Sequence, residues 1–292
     1  MGSFINLQKE IRQDHSLRQP LLKKIKELRN GRAIVSFFIS FHSTIPLSKD
    51  DADMIEEIIA DLDTEKGVTL ILDAPGGDGL TAERIIQICR SYSSNDFETI
   101  VASRAKSAAT MVCLGSDRII MSPTSELGPI DPQIPFKTGD SFQWLPAHHV
   151  IKTYDEMFNK AVNLDPSKRI EPYLQQLTQF NASEIEQFRA ATKLSLSIAI
   201  SSLKSGMLKN LSEKEIENSI KPFTDPEVTF SHGRALNFDQ VESCGLSVES
   251  VDLKSELWDT IWSLYMRSKH VVDSAQHGKK LVETINNSFI SG

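Results

Sequence analysis

Residues 68–121 read VTLILDAPGGDGLTAERIIQICRSYSSNDFETIVASRAKSAATMVCLGSDRIIM, and the order of patterns within them decides the fold. Val68–Leu72 is a short, unbroken apolar run, as expected of a strand buried on both faces. It stops at Pro75-Gly76-Gly77, after which Ala82, Ile85, Ile86 and Cys89 recur at helical spacing. Thr99–Ala102 reads as the next strand, Ala108–Leu114 as a helix and Arg118–Met121 as a further strand. Working outward, Arg32–Phe41 (RAIVSFFISF) is rich in branched and aromatic residues and predicts a strand. Ser48, with Asp51 three residues on, heads a helix whose buried stripe is Met54, Ile55, Ile58, Ile59 and Leu62. Strands and helices therefore alternate from 32 to 121, which predicts an α/β chain with a parallel sheet and crossover helices.

The flanks are less regular. Residues 7–30 carry Leu7, Ile11, Leu21, Leu22, Ile25 and Leu28 at roughly helical spacing, with Pro20 expected to split or kink the helix and Gly31 to stop it. Phe136–His149, with Gly139 and Pro146, reads as a loop. Helical patterns follow over 150–162 and 183–218, and Thr229–Leu246 reads as a strand, a turn and a short helix. Residues 254–272 form a helix whose stripe of Leu257, Trp258, Ile261, Trp262 and Tyr265 is expected in the core, and the polar tail beyond 273 is expected to fray. This divides the chain into a helical extension (1–31), a main domain (32–250) and a terminal helix with its tail (251–292).

Composition excludes several classes. Among 292 residues there are 32 Lys and Arg against 39 Asp and Glu, a net charge of −7 that argues against a nucleic-acid partner. Cys89, Cys113 and Cys244 are odd in number, widely spaced and set among apolar neighbours, which predicts buried, reduced thiols in a cytoplasmic protein. The apolar stretch Ala33–Phe41 is interrupted by Ser36 and Ser40 and is too short to span a bilayer. The start MGSFINLQKEIRQ lacks the charged region and apolar run of a signal peptide. His148 and His149 are adjacent, so they do not readily face one ion, and no carboxylate or thiol cluster accompanies them. No metal site is expected.

Two segments carry candidate chemistry. The turn Asp73-Ala-Pro-Gly-Gly-Asp-Gly79 can present backbone N–H groups, either to a phosphate or to charge developing on a carbonyl oxygen. It matches neither the P-loop nor the dinucleotide-binding glycine spacing, and in isolation it is a tight turn. Ser103-Arg-Ala-Lys-Ser-Ala-Ala-Thr110 places small residues at the start of a helix, where unpaired N–H groups and the helix dipole favour a nucleophilic Ser107. In isolation the better reading of Ser107 is a cap or a close-packing residue.

The ordered set is more specific than its parts. With Asp117-Arg-Ile-Ile-Met-Ser-Pro-Thr-Ser-Glu-Leu-Gly-Pro-Ile-Asp-Pro-Gln133 added, it resembles the ClpP/crotonase-fold peptidases. The tract ELGPIDPQ closely resembles the serine dehydrogenase proteinase family, relatives of signal peptide peptidase A. The likeness is good over 67–133 and faint over 183–248. It implies a ClpP/crotonase-like fold and a serine endopeptidase acting through an acyl-enzyme on Ser107, with an oxyanion hole from Gly76, Gly77 and Ala108. Relatives usually show Ser-Gly-Gly or Ser-Ala-Gly, whereas Ala108 and Ala109 follow the serine here, which bears on substrate fit. The base stays open between two residues. Lys204, in Leu203-Lys-Ser-Gly-Met207, resembles the lysine-bearing helix of signal peptide peptidase A. His232, in Phe230-Ser-His-Gly-Arg-Ala, matches a histidine typical of the serine dehydrogenase proteinases, and an imidazole needs little adjustment to act at neutral pH. The segment 127–131, where ClpP has its histidine, contains none. The resemblance further implies a peptide or protein substrate and a homo-oligomer, with any regulatory partner unidentified; no cofactor is expected, because the sequence offers no cofactor lysine within a phosphate-binding glycine loop. A non-catalytic scaffold of the same fold is the rival reading, and thioester chemistry on an acyl-CoA a more distant one.

Overall fold

Every position of two strands, β1 (Ala33–Ile39) and the strand that begins at Val68, is buried, and their alternation splits the side chains between two layers. Val35, Phe37, Leu70, Leu72 and Ala74 face one core, whereas Ile34, Phe38 and Ile71 face the other. This two-sided burial is what a parallel sheet covered by helices requires.

The computed structural model describes residues 14–42, 45–94, 96–138, 141–274 and 279–291. Around β1 its elements are α1 (His15–Leu28), α2 (Lys49–Ala60), β2 (Val68–Ala74), α3 (Gly79–Tyr92), β3 (Phe97–Ala105), α4 (Ala108–Leu114), β4 (Arg118–Met121) and β5 (Glu126–Leu127). A peripheral region follows: β6 (Gln133–Thr138), β7 (Ser141–Pro146), α5 (Ala147–Val162), α6 (Glu171–Leu177) and α7 (Ala182–Ser205). Then come α8 (Glu213–Ser219), α9 (Lys221–Thr224), α10 (Pro226–Thr229), α11 (Phe238–Ser243), β8 (Val248–Ser250), α12 (Glu256–Asp273), β9 (Lys280–Glu283) and β10 (Ser288–Ser291). The main sheet runs β10-β9-β1-β2-β3-β4-β8, with β5 beside β3. Strands β1, β2, β3, β4 and β8 are parallel, and β9 and β10 close one edge antiparallel. Helices α2, α3, α4 and α7 pack on one face, and α1 and α12 cover the other.

The alternation expected over 32–121 is present, including the Ser48–Asp51 capping box at α2. The flanks differ in instructive ways. The helix expected over 7–30 is described as α1, which runs unbroken through Pro20; its Leu7 and Ile11 lie outside the described residues. Pro20 and Ser16 are both exposed, so the Ser16 carbonyl that loses its N–H partner meets water. The loop expected over 136–149 is instead the β6–β7 hairpin and the first turn of α5, with Pro135 opposite Trp144. A two-stranded ribbon is all edge, where proline is tolerated. The helical pattern over 183–218 breaks at Gly206 into α7 and a separately capped α8.

The tail that was expected to fray forms β9 and β10, with Leu281, Val282 and Glu283 fully buried. Its polar composition hides an ionic anchor. Arg18 on α1, itself 1% exposed, holds the Glu283 carboxylate with two contacts of 2.6 Å, and Ser288 Oγ donates to it at 2.8 Å. Desolvating such a pair is costly, but removing one partner is worse. Arg18→Met is therefore expected to cost about 3–5 kcal/mol in urea unfolding, and adding Glu283→Leu is expected to recover most of that loss.

Candidate active site

Strand β2 ends in Ala74, and Pro75-Gly76-Gly77 then turns across the sheet edge with φ of +104° at Gly76 and +152° at Gly77. Only glycine adopts such dihedrals without strain. Neighbours enforce the choice as well: a Cβ on Gly76 would stand 2.6 Å from the Lys106 carbonyl oxygen and 2.7 Å from Ser107 Cβ. A Cβ on Gly77 would collide with the backbone of Leu47. Leu47 clamps the turn from outside, its N–H donating to Gly76 O (2.8 Å) and its carbonyl accepting from Asp78 N (3.0 Å).

The neighbouring strand β3 ends at Ala105, and Lys106 N donates to Ala74 O (3.0 Å), which ties the two turns together. Ser107 then enters α4 with φ +50° and ψ −120°. A positive φ at a residue with a Cβ is strained and signals a position held by its surroundings. The serine side chain makes no capping bond, and it lines a cavity of about 760 Å3. Gly77 and Ala108 line the same cavity, and among the described residues neither amide donates to a protein acceptor. Ala109 is packed into the main core, so its methyl group does not face the cavity. Leu80, Met111, Ile130, Trp144, Leu194 and Ile198 make its apolar wall.

His232 lines this cavity too. It is carried there because Leu236 and Leu127 exchange backbone hydrogen bonds (3.0 Å each), laying the 230s segment against the ELGPIDPQ tract. That tract is bonded in turn to the serine turn. Thr110 Oγ1 donates to Ala105 O (2.7 Å) and accepts from Gly128 N (3.1 Å), and Lys106 Nζ donates to Leu127 O (3.0 Å). His232 Nδ1 stands 2.8 Å from Oδ1 of Asp131, whose carboxylate is 5% exposed and also accepts from Gln133 Nε2 (2.9 Å). Ser107 and His232 share the cavity without a direct hydrogen bond among the described contacts. Sequence reasoning gives Asp131 no part; the signal that points to it is a carboxylate in the segment where ClpP places its histidine.

Lys204 is elsewhere. It is exposed and its amine donates to the Leu211 carbonyl. On α7 the cavity is lined by Ala191, Leu194, Ser195 and Ile198. Lys204 lies six residues beyond the last of these, about 9 Å along the axis and roughly 120° around it. His148 and His149 lie in the first turn of α5 rather than in a loop, and His148 Nε2 is 3.5 Å from Glu227. Among the described residues no group of three His, Cys, Asp or Glu is arranged to hold a metal, and no helix is long and apolar enough to cross a membrane. Burial pushes the Cys89 and Cys113 thiols up to about 12 and that of Cys244 up to about 11, so none offers a thiolate nucleophile.

Residues 4–165 match the model of the ClpP-like SDH-type serine proteinases. The chain belongs to that family. Two uncharacterized proteins of Methanocaldococcus jannaschii are similar to it. One is 31% identical over 39% of this chain and 43% of its own length, the other 30% identical over 31% and 32%. The chain thus spans less than half the length of the curated relatives it matches. Among solved structures, a mutant of the membrane-bound stomatin-specific protease 1510-N is 17% identical, covering 71% of this chain and 93% of that one, with a TM-score of 0.31. A second mutant of it, in complex with a substrate peptide, is 18% identical over 76% and 93%, with a TM-score of 0.30.

The SDH-type chain also buries an acid beside its glycine turn. Asp73, two residues before Pro75, is 4% exposed and accepts from Arg104 N at 2.7 Å. Burial raises its pKa to about 7, opposed by that hydrogen bond and by the Arg104 and Lys269 charges. Because the folded protein binds this proton more tightly than the unfolded chain, the stability Asp73 contributes is present at acid pH and is lost as pH rises toward and through about 7. In thermal unfolding the midpoint of the wild type is expected to fall relative to that of Asp73→Asn between about pH 5 and about pH 8. Parallel pH profiles for the two proteins would contradict this.

Proposed function

We propose that this chain hydrolyses peptide bonds through an acyl-enzyme on Ser107, with His232 as general base and Asp131 as the acid that orients it. The observation that carries the reading is the convergence of Ser107, two unpaired backbone amides and an Asp131-bound His232 on one cavity. A hydrogen bond from Nδ1–H to Asp131 leaves Nε2 as the acceptor. Ser107 Oγ attacks the carbonyl carbon as its proton passes to Nε2. The carbonyl electron pair moves to oxygen, where the Gly77 and Ala108 amides meet the negative charge. Collapse breaks the C–N bond, and the imidazolium returns its proton to the departing amine. Water then repeats the sequence and releases the acid. The Asp131 carboxylate, bonded to Nδ1, stabilises the imidazolium.

Gly76 serves by its backbone: its carbonyl is anchored by Leu47, so the next amide is free to face the cavity. The acid here lies in the segment where ClpP has its base. Lys204 stands outside this scheme because α7 turns it away. The reaction needs no cofactor. The apolar cavity wall favours an extended peptide with an apolar side chain beside the cleaved bond, as an endopeptidase would take. Phe158, Val162, Ile170 and Leu174, all exposed on and between α5 and α6, support a homo-oligomer. The negative charge supports a protein or peptide substrate over nucleic acid, and we place the activity in the cytoplasm.

Labelling with a fluorophosphonate, read as intact mass, tests the assignment. The wild type is expected to take one adduct and Ser107→Ala none. His232→Ala and Asp131→Asn are expected to slow labelling, the latter on the order of 10³–10⁴-fold. An adduct that survives Ser107→Ala removes the nucleophile assignment, and unslowed labelling of His232→Ala removes the base. A wild type that takes no adduct favours the scaffold reading.

A further inference from the structure

The glycine turn is held by Leu47, and Leu47 is held by something else. Ser48 caps α2, and its N–H donates to Asp51 Oδ2 at 2.7 Å. Asp51 is fully buried, and its Oδ1 has no hydrogen-bond partner. The compensating charge arrives from 229 residues away: Lys280 Nζ, on β9, donates to Asp51 Oδ2 at 2.7 Å and to Ser48 Oγ at 2.8 Å. Lys280 is 5% exposed, and among the described residues no other cation pairs with Asp51. Its own position is set by β9, where it lies opposite Ile39 of β1.

A chain of direct contacts therefore runs from the C-terminal hairpin to the cavity. Lys280 holds Ser48 and Asp51, Leu47 follows directly in sequence, and Leu47 bonds Gly76 and Asp78 on either side of Gly77. Ser48 and Leu47 both line the cavity. The Leu47 backbone leaves no room for a Cβ at Gly77, so a shift of Leu47 is transmitted to the Gly77 amide rather than absorbed. Lys280 also lies outside residues 4–165, the part of the chain that matches the family.

We propose that Lys280 is a positioning residue for the oxyanion site: its ammonium fixes Ser48 and Asp51, and through Leu47 it aims the Gly77 amide at the reacting carbonyl. The inference rests on the oxyanion reading given above. Without the ammonium, Asp51 is a buried carboxylate with no cation. The end of α2 then opens toward water, and Leu47 moves with it. A displacement of about 1 Å in a positioning element costs on the order of 10²-fold in rate.

The test is the rate of fluorophosphonate labelling at Ser107, resolved into kinact and KI, for the wild type, Lys280→Met and the double variant Asp51→Asn/Lys280→Met. In Lys280→Met, kinact is expected to fall roughly 10- to 100-fold with KI nearly unchanged. The double variant removes the uncompensated charge, so its thermal midpoint is expected to return toward that of the wild type while kinact stays low. Where Lys280→Met alone does not fold, the double variant carries the test. A folded variant with wild-type kinact, a loss confined to KI, or full recovery of kinact in the double variant would overturn the assignment while leaving Ser107 as nucleophile. A wild-type chain that takes no adduct at Ser107 overturns the functional reading, and this inference with it.

Discussion

Three backbones meet at the C-terminal ends of β1, β2 and β3, and their separation is set by atoms that cannot give. Gly76 lies against the Lys106 carbonyl and Ser107, and Gly77 against Leu47, each closer than any side chain allows. The register shift between Leu72 and Ala74, where β2 pairs with β3, brings the two turns to the same height. From this follow the glycines, the unpaired amides and the left-handed Ser107. A residue so strained costs on the order of 1–3 kcal/mol and persists only where its surroundings over-determine it. Here they do: all seven residues of α4 are buried, so the helix that follows Ser107 has no freedom to relax the turn.

The parts of the fold that were legible in the sequence are those in which one physical effect dominates. Continuous apolar runs bounded by glycine read correctly as buried strands because they are short and rich in β-branched residues, which tells them from buried helices. The pairing of 133–138 with 141–146 was not legible, because Pro135 and Pro146 carry turn chemistry that a two-stranded ribbon tolerates. The terminal strands were not legible because their polar residues are buried by partners hundreds of positions away. Glu283 needs Arg18 and Lys280 needs Asp51, and no local window contains either pair. The site divides in the same way. Ser107 and the glycines stand in sequence beside the strands that position them. The His232–Asp131 contact spans 101 residues, so His232 is legible only through resemblance and Asp131 not at all.

Buried charge is how this chain joins distant segments. Glu98, 1% exposed, receives Arg29, Arg32 and the Thr69 hydroxyl, binding the end of α1 to β1, β2 and β3. Arg18 with Glu283 and Lys280 with Asp51 bind the C-terminal hairpin to α1 and α2. Apolar residues at the same positions would serve stability as well or better, since desolvation offsets most of the Coulombic gain. What an ion pair adds is intolerance of misregister. A one-residue slip of β9 would turn Lys280 to the other face of the sheet and leave Asp51 uncompensated. The pairs therefore select one arrangement of the termini, and the arrangement selected is the one that presses Leu47 onto the glycine turn.

The two halves of the site are built to different tolerances. The half proposed to hold the oxyanion is backbone, locked by steric contact and by hydrogen bonds among Leu47, Gly76, Asp78 and Lys106. The acid–base half hangs on a segment of irregular backbone. Leu127–Leu236 is an isolated bridge, His232 is about a quarter exposed, and Phe230 adopts a φ of +61° in the approach to it. Electrostatic stabilisation gains from rigidity because charge develops at one point in space. Proton transfer tolerates adjustment, since an imidazole held through Nδ1 can still pivot toward a hydroxyl as substrate fills the cavity. On the proposed mechanism, a rigid anion site beside an adjustable base also accounts for a Ser107 and His232 that share one cavity with no hydrogen bond between them among the described contacts. In the proposed mechanism the contact that aligns them is the one a bound peptide would supply.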